Sequence, residues 1–373
     1  MNEDKSTRYN RLKRRFSIAS AAWSAALLVL LIVTGRAAWL RDVSERAATL
    51  MAPVAWARSV SVVICVALLT LLDELGSLPL GFYGGFLLER RYGLSRQSLR
   101  LWSTDQAKAL ALALVLAVAG GCVLYAIIDR FPNVWWLPAS GVFALVIIGL
   151  ANVAPLVLLP LFYTVKPITK ESLRARLVAL GERAGARVLD ANEWGLGEKT
   201  SKANAALAGI GNSRRILVSD TMLDQYSEDE IEVVLAHELA HHVHGDIWKG
   251  IAFEAGLIVV GFFAASQLLV IAAPIAGLRG PSDLAGLPLL LLTAGAVSLV
   301  TLPAAHAMSR AHERSADRFA LDLTKNPVAF VSAMKRLAAQ NLAEDEPSRL
   351  VQWLFYSHPP IRERIAAAQA FKP

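Results

Sequence analysis

Charged residues are scarce in this chain. Asp, Glu, Lys and Arg make up 18% of its 373 residues, and hydrophobic residues make up 55%. An ordinary soluble domain carries about a quarter charged and somewhat under half apolar residues, so that class is a poor match. Cysteine is nearly absent. Cys65 and Cys122 are the only two, and both lie inside apolar runs, which excludes a disulfide framework and a cysteine-type metal site. No motif interleaving aromatic and basic residues accompanies the net charge of +7. The excess Lys and Arg therefore point to loops beside a membrane and not to a nucleic-acid partner. Histidine is rare as well, with seven in the whole chain.

The missing charge is concentrated in runs. Segments 16–35, 109–128, 131–165, 255–278 and 284–305 contain no Asp, Glu, Lys or Arg, and 59–88 is broken only by Asp73 and Glu74. Each run reaches the roughly 20 residues needed to cross a bilayer. One such run would suit a buried core helix; six in one chain suit a multi-pass membrane protein. The first run follows a basic segment but is long for a signal peptide and lacks a clear small-residue cleavage site, so it reads as a retained span. Residues 1–15 carry six Lys/Arg and 89–108 carry five, whereas 36–58, 129–130 and 279–283 carry four, one and one. The positive-inside rule then predicts both termini, 89–108 and 166–254 in the cytoplasm.

Two stretches are not membrane-like, 166–254 and 306–373. The first reads as a small mixed domain. A helix is predicted over 170–184, with short strands at 187–189, 203–208 and 216–219. Ser227 and Glu230 fit a capping box, which opens a helix over about 228–245. That helix carries "VVLAHELAHHVHGD" (233–246), holding four of the seven histidines. His237 and His241 are four apart and so share one helix face. Two imidazoles there can bind one zinc ion. Glu238, next to the first histidine, can take a proton from a water beside it, the logic of H-E-x-x-H metalloproteases. A solvated polar face is the plain alternative.

A third ligand makes the zinc reading specific. His244 is poorly placed, and the metzincin scheme fails, because its glycine and third histidine would fall on His244 and Ile247. The other common solution is a carboxylate from a second helix. In "MSRAHERSADRFALD", Glu313 and Asp317 share a helix face. Glu313 is the candidate third ligand, and Asp317 the candidate acceptor for the other ring N–H of a ligating histidine. His242, His244, His306 and His312 read as polar-face residues.

"HELAHHVHGD", "SRAHERSAD" and "SHPPIRERI" together resemble the integral-membrane zinc endopeptidases of the gluzincin class, in particular the CAAX prenyl protease type I family. The stretch 77–110 is similar to that family's loop between membrane helices, and "NVAPLVLLPLFYTVKPI" to its entry into the catalytic domain, so the resemblance covers nearly the whole chain. Together with the six apolar runs it implies a mainly α, multi-pass protein, of about six spans by the count of those runs, with a small α+β zinc-peptidase domain. Residues 1–165 would form a membrane domain of about four spans. Residues 166–373 would form the metallopeptidase domain, with two further spans at about 255–278 and 284–305. It implies one Zn2+ per chain on His237, His241 and Glu313, with Glu238 as base. It also assigns Asn204 to holding substrate backbone, His358 to steadying the oxyanion, and Arg364 to a structural or substrate-facing place. Taken alone these three read as a turn residue, a loop residue and a solvated charge. The implied partners are the bilayer and a peptide or protein substrate, prenylated or otherwise membrane-associated, with no nucleic acid. A membrane-protein quality-control protease and a non-hydrolytic zinc sensor or scaffold are the alternatives. The chain departs from the family in three places. Six spans are counted where seven are common, Asn204 precedes two alanines and no aromatic, and Asp73 and Glu74 sit in mid-span, where acids mark functional or water-facing sites.

Overall fold

The computed structural model describes residues 4–153, 157–209 and 214–372. Helix α1 (Lys5–Val33) opens on Asp4, whose carboxylate accepts from the Ser6 N–H. It ends at Gly35, whose left-handed backbone turns the chain into α2 (Arg36–Met51). This second helix was not expected, because its arginines read as a loop. Helix α3 (Val54–Gly81) continues through a wider π turn at Phe82–Leu87 into α4 (Leu88–Arg91). Most of 77–110 is therefore helical, in place of the expected loop; only 92–98 separates α4 from α5 (Leu99–Arg130). The apolar run 131–165 does not form one helix. It gives α6 (Trp136–Val153), a short α7 (Leu159–Phe162) and the start of strand β1 (Val165–Pro167), while 154–156 lie outside the described residues.

Among the described residues, five helical stretches are long and apolar enough to cross a membrane: Lys5–Val33, Val54–Arg91, Leu99–Arg130, Asp246–Ala276 and Leu284–Thr324. The shorter apolar stretch Trp136–Ala151 falls in the remaining run. Leu40, Cys65, Leu69, Tyr125, Ile128, Trp135 and Leu269 are among the side chains packing the bundle. The mid-span acids Asp73 and Glu74 line a largely apolar cavity of about 480 Å³ that Ser24 and Thr70 also border, and Asp73 accepts from the Ser24 hydroxyl at 2.7 Å.

The polar part holds α8 (Glu171–Arg183), β2 (Asp190–Trp194), β3 (Ala205–Ala208), β4 (Arg215–Ser219) and α9 (Asp220–Gln225). The sheet order is β1-β2-β4-β3, with β2 and β4 parallel and the outer pairs antiparallel. The predicted strand at 187–189 lies one step early. The chain pairs instead at Asp190–Trp194, where Ala191 and Asn192 are buried in a stretch with no apolar alternation to announce it. Helix α10 (Glu228–Val243) begins with the predicted capping box. Helix α11 (Asp246–Ala276) follows after Gly245. A 3-10 turn (Leu284–Gly286) leads into α12 (Leu287–Thr324), and α13 (Pro327–Asn341), α14 (Arg349–Phe355) and α15 (Ile361–Gln369) complete the chain. Leu177, Ile216, Met222, Leu235, Leu239 and Phe330 are among the fully buried residues of this second core.

Where 279–283 meets α2, Arg41 donates to Asp283 at 2.8 Å, and the Asp283 side chain is fully buried. Asp283 also accepts from the backbone N–H groups of Arg279 and Ala285. Removing one partner of a buried ion pair costs about 3–5 kcal/mol when the other is left uncompensated; here Arg41 keeps its bond to Asp42 at 2.9 Å, so the cost falls toward the lower end. Asp283→Ala should therefore lower the thermal midpoint of the detergent-solubilised protein by several degrees, and the double change Arg41→Met/Asp283→Leu should recover part of that loss. An unchanged midpoint in the single variant would show that the pair does not fasten this end of the bundle.

Candidate metal centre

Helix α10 presents His237 and His241 on successive turns, and α12 crosses it so that Glu313 faces both. His237 Nε2 lies 3.2 Å from Glu313 Oε2, and His241 Nε2 lies 3.5 Å from Glu313 Oε1. The two Nε2 atoms are 3.3 Å apart. All three ligand atoms lie within 4.8 Å of one another, and His237 and Glu313 are buried. Glu313 Oε2 has no hydrogen-bond partner despite its burial. Its approach to His237 is close in distance but lacks hydrogen-bond geometry. An orphaned carboxylate oxygen beside two converging imidazole nitrogens is the donor set of a divalent cation with two nitrogen ligands and one oxygen ligand. The residues present fit a metal.

The far sides of both rings are also held. His237 Nδ1 lies 2.8 Å from Asp317 Oδ1, and Arg364 donates to both Asp317 oxygens at 2.8 and 2.5 Å. The resemblance left Arg364 structural or substrate-facing. Its guanidinium is buried and committed to Asp317, with Nη2 3.4 Å from His237 Nδ1, although the residue also borders the cleft. His241 Nδ1 lies 3.0 Å from Asp246 Oδ2.

A cleft of about 330 Å³ opens in front of these residues, lined by Asn204, His237, Glu238, Tyr356, His358 and Arg364 among others. Asn204 is exposed and directly precedes the edge strand β3. Its backbone is fixed to β4, where the Ser219 hydroxyl accepts from its N–H and the Ser219 N–H donates to its carbonyl. His358 is exposed, with Nε2 3.3 Å from Glu313 Oε1 and Nδ1 2.9 Å from the Ser357 hydroxyl. The chain thus brings His237, Glu238, His241, Glu313, Asp317, Asn204, His358 and Arg364 to one place, while Asp73 and Glu74 lie apart among the membrane helices. Two further residues gave no sequence signal. Arg310 is buried and donates to the carbonyls of Gln352 and Tyr356, which fixes the segment leading to His358. Asp246 lay inside the quoted histidine stretch but just past the predicted end of the helix. Of the other histidines, His242 is partly buried with Nε2 unpartnered, and His312 Nε2 lies 3.7 Å from Asp246.

The family models agree with this geometry. Residues 2–164 match a model described as the CAAX prenyl protease N-terminal region with five membrane helices, and residues 167–372 match peptidase family M48. The chain belongs to peptidase family M48. It is 30% identical, over 82% of this chain and 72% of the relative, to an uncharacterised metalloprotease of Bacillus subtilis, YhfN. It is 28% identical, over 97% and 84% of the two chains, to CAAX prenyl protease 1 of Saccharomyces cerevisiae. The crystal structure of S. mikatae Ste24p superposes with a TM-score of 0.86 over 98% of this chain and 88% of that one; at 24% identity this likeness speaks for the fold. The protein is an integral-membrane metalloprotease.

Protons compete with a metal at the centre. Burial works against a proton on His237, but the adjoining Asp317 and Glu313 carboxylates outweigh burial and raise its pKa to about 9. Burial opposes the charge on His241 too, and Glu313 and Asp246 raise it on balance. A ligating histidine must be neutral, so an incoming metal displaces protons. Apparent metal affinity should therefore climb as pH rises from mildly acidic toward 9, by up to about tenfold per pH unit for one proton released. Competition with a chromophoric chelator across that range measures it. A flat profile would mean His237 is already neutral without metal.

Proposed function

We propose that the chain is a zinc endopeptidase that cuts prenylated, membrane-associated proteins at the cytoplasmic face of its membrane. The observation that carries this reading is the meeting of His237 Nε2, His241 Nε2 and the Glu313 carboxylate beside Glu238, at the back of a cleft whose rim is an edge strand. Zinc bound there would supply a Lewis acid to polarise the scissile carbonyl and activate water.

The chain's own groups do the rest. Glu238 accepts the water's proton on its carboxylate and later returns one to the leaving amine. Burial raises its pKa above the ordinary glutamate value, which suits a group that must both take and give a proton. Asp317, steadied by Arg364, holds the His237 ring so that Nε2 faces the ligand position. His358 donates toward the developing oxyanion. Asn204, with both an amide donor and an amide acceptor, holds an extended substrate backbone laid along β3.

The substrate class is supported by relatives named CAAX prenyl protease 1 and by the apolar cavity among the membrane helices. The alternation of Lys and Arg supports the orientation, with both termini and 166–254 cytoplasmic. We read 1–165 as the membrane domain and 166–373 as the peptidase domain with its two spans.

Purified protein should cleave a prenylated peptide, and a chelator should abolish the cleavage. Glu238→Gln should retain stoichiometric zinc and lose turnover; retained turnover in a clean preparation would sink the mechanism. His358→Ala should slow turnover by about 100- to 1,000-fold, the usual loss for one oxyanion donor. Asn204→Ala should weaken cleavage of prenylated and unprenylated peptides alike. Equal kcat/KM for the two peptides in the wild type would replace the prenyl-protease reading with a quality-control protease. Cysteines placed at 5, 170 and 373 in a chain lacking Cys65 and Cys122 should resist an impermeant reagent applied outside intact cells, and labelling of any of them would overturn the orientation.

A further inference from the structure

Asp246 is the first residue of α11, one of the membrane-spanning helices, yet its carboxylate turns back onto the last turn of α10. Gly245 makes this possible. It sits at φ +68°, a left-handed conformation that side-chain-bearing residues seldom adopt, and it reverses the chain between the two helices within one residue. Asp246 Oδ2 then lies 3.0 Å from His241 Nδ1. Asp246 Oδ1 accepts from Lys249 at 2.9 Å, and His312 Nε2 of α12 stands 3.7 Å from it. The Asp246 side chain is 6% exposed. A buried carboxylate has no reason to reach back to an imidazole merely to begin a helix, since solvent and its own first-turn N–H groups would serve it there.

We infer that Asp246 is a positioning residue for the metal centre, fixing the tautomer and ring orientation of His241. This rests on the zinc reading given above. A carboxylate can only accept at Nδ1. It therefore holds the proton there and leaves the Nε2 lone pair pointing at His237 Nε2 and Glu313, where a metal ligand is needed. The two histidines are then supported in parallel: His237 by Asp317 and Arg364 from α12 and α15, and His241 by Asp246 and Lys249 from α11. The second support has a consequence the first lacks. The orientation of a ligating ring is set by the first turn of a membrane helix, so the metal centre is built only when α11 is seated against α10.

Zinc affinity of the full-length protein in detergent, measured by chelator competition, tests this apart from activity. Asp246→Ala should weaken binding by about 10- to 100-fold, the usual cost of losing a partner behind a metal ligand. Asp246→Asn has the same shape but can offer its amide N–H to Nδ1 and favour the wrong tautomer, so it should weaken binding as well; it carries the comparison if the alanine variant does not fold. The double variant Asp246→Ala/Ile247→Asp restores an acid to the first turn of α11 without restoring the contact to His241, and it should stay weak. Wild-type affinity in Asp246→Ala or Asp246→Asn, or recovery in the double variant, would reduce Asp246 to a helix-end charge and overturn the inference. A wild type that binds no zinc would instead overturn the reading on which it rests.

Discussion

A carboxylate and a guanidinium, both buried, meet where α10, α12 and α15 converge. Asp317 and Arg364 form this pair, and His237 completes it. Removing two charges from water is costly, and a buried ion pair often adds little net stability over an apolar replacement. Its value here is geometric. Asp317 has two oxygens to satisfy, and the planar guanidinium takes both while leaving one of them in reach of His237 Nδ1. Shift α15 and the guanidinium leaves; Asp317 then has only His237, and the ring is free to turn. The proposed metal ligands on α10 and α12 thus depend on a helix that contributes no ligand itself.

Helix α12 carries this constraint into the bilayer. It runs unbroken from Leu287 to Thr324, so the residues that pack the membrane bundle and the residues that face the metal belong to one rod. Pro303 lies within it without ending it, as membrane helices tolerate where neighbours take up the freed carbonyl. Leu290 packs the bundle, while Glu313 and Asp317 sit in the polar part. With α11 beginning at Asp246, two of the chain's membrane helices end on the metal centre itself. A metallopeptidase built this way cannot tilt its centre relative to the bundle without bending a helix.

The parts of this arrangement that were legible in the sequence share a property: each is specified by residues close together in the chain. The capping box at Ser227 and Glu230 fixes where α10 starts, and the 3.6-residue period then puts His237 and His241 on one face. Glu313 and Asp317 declare themselves the same way. The six apolar runs announce the bundle because a bilayer demands length and the absence of charge together. What stayed hidden depends on long-range contacts. Helix α2 looks like a loop because its arginines are stabilised by partners far off, Arg41 by Asp283 among them. Strand β2 has no alternating pattern, since it lies between β1 and β4. Arg310 is an ordinary helix charge until the chain returns 42 residues later to place the Gln352 carbonyl against it.

The boundary between the membrane part and the peptidase part, clear in composition, is blurred in space. The polar start of α1 lies against the catalytic half. Asn10 donates to the Leu342 carbonyl at 2.7 Å, and Arg14 donates to Glu344 at 2.6 Å and to the Tyr356 hydroxyl at 2.8 Å. Glu344 and Tyr356 line the cleft, so α1 braces its wall from behind. On the other side Glu89, at the end of the α3–α4 rod, accepts from the Tyr9 hydroxyl and pairs with Lys202 at 2.8 Å. Lys202 stands two residues before Asn204. An extended substrate must be presented at a fixed height relative to the metal, because a backbone displaced by about 1 Å along the strand can already lose much of the reaction rate. The wall and the edge strand are both anchored to the ends of membrane helices, which fixes that height relative to the bilayer as well. A substrate tethered to the same membrane by a lipid would then arrive with its cleavage site already at the level of the cleft, and the length of chain between lipid and scissile bond becomes something this fold can measure.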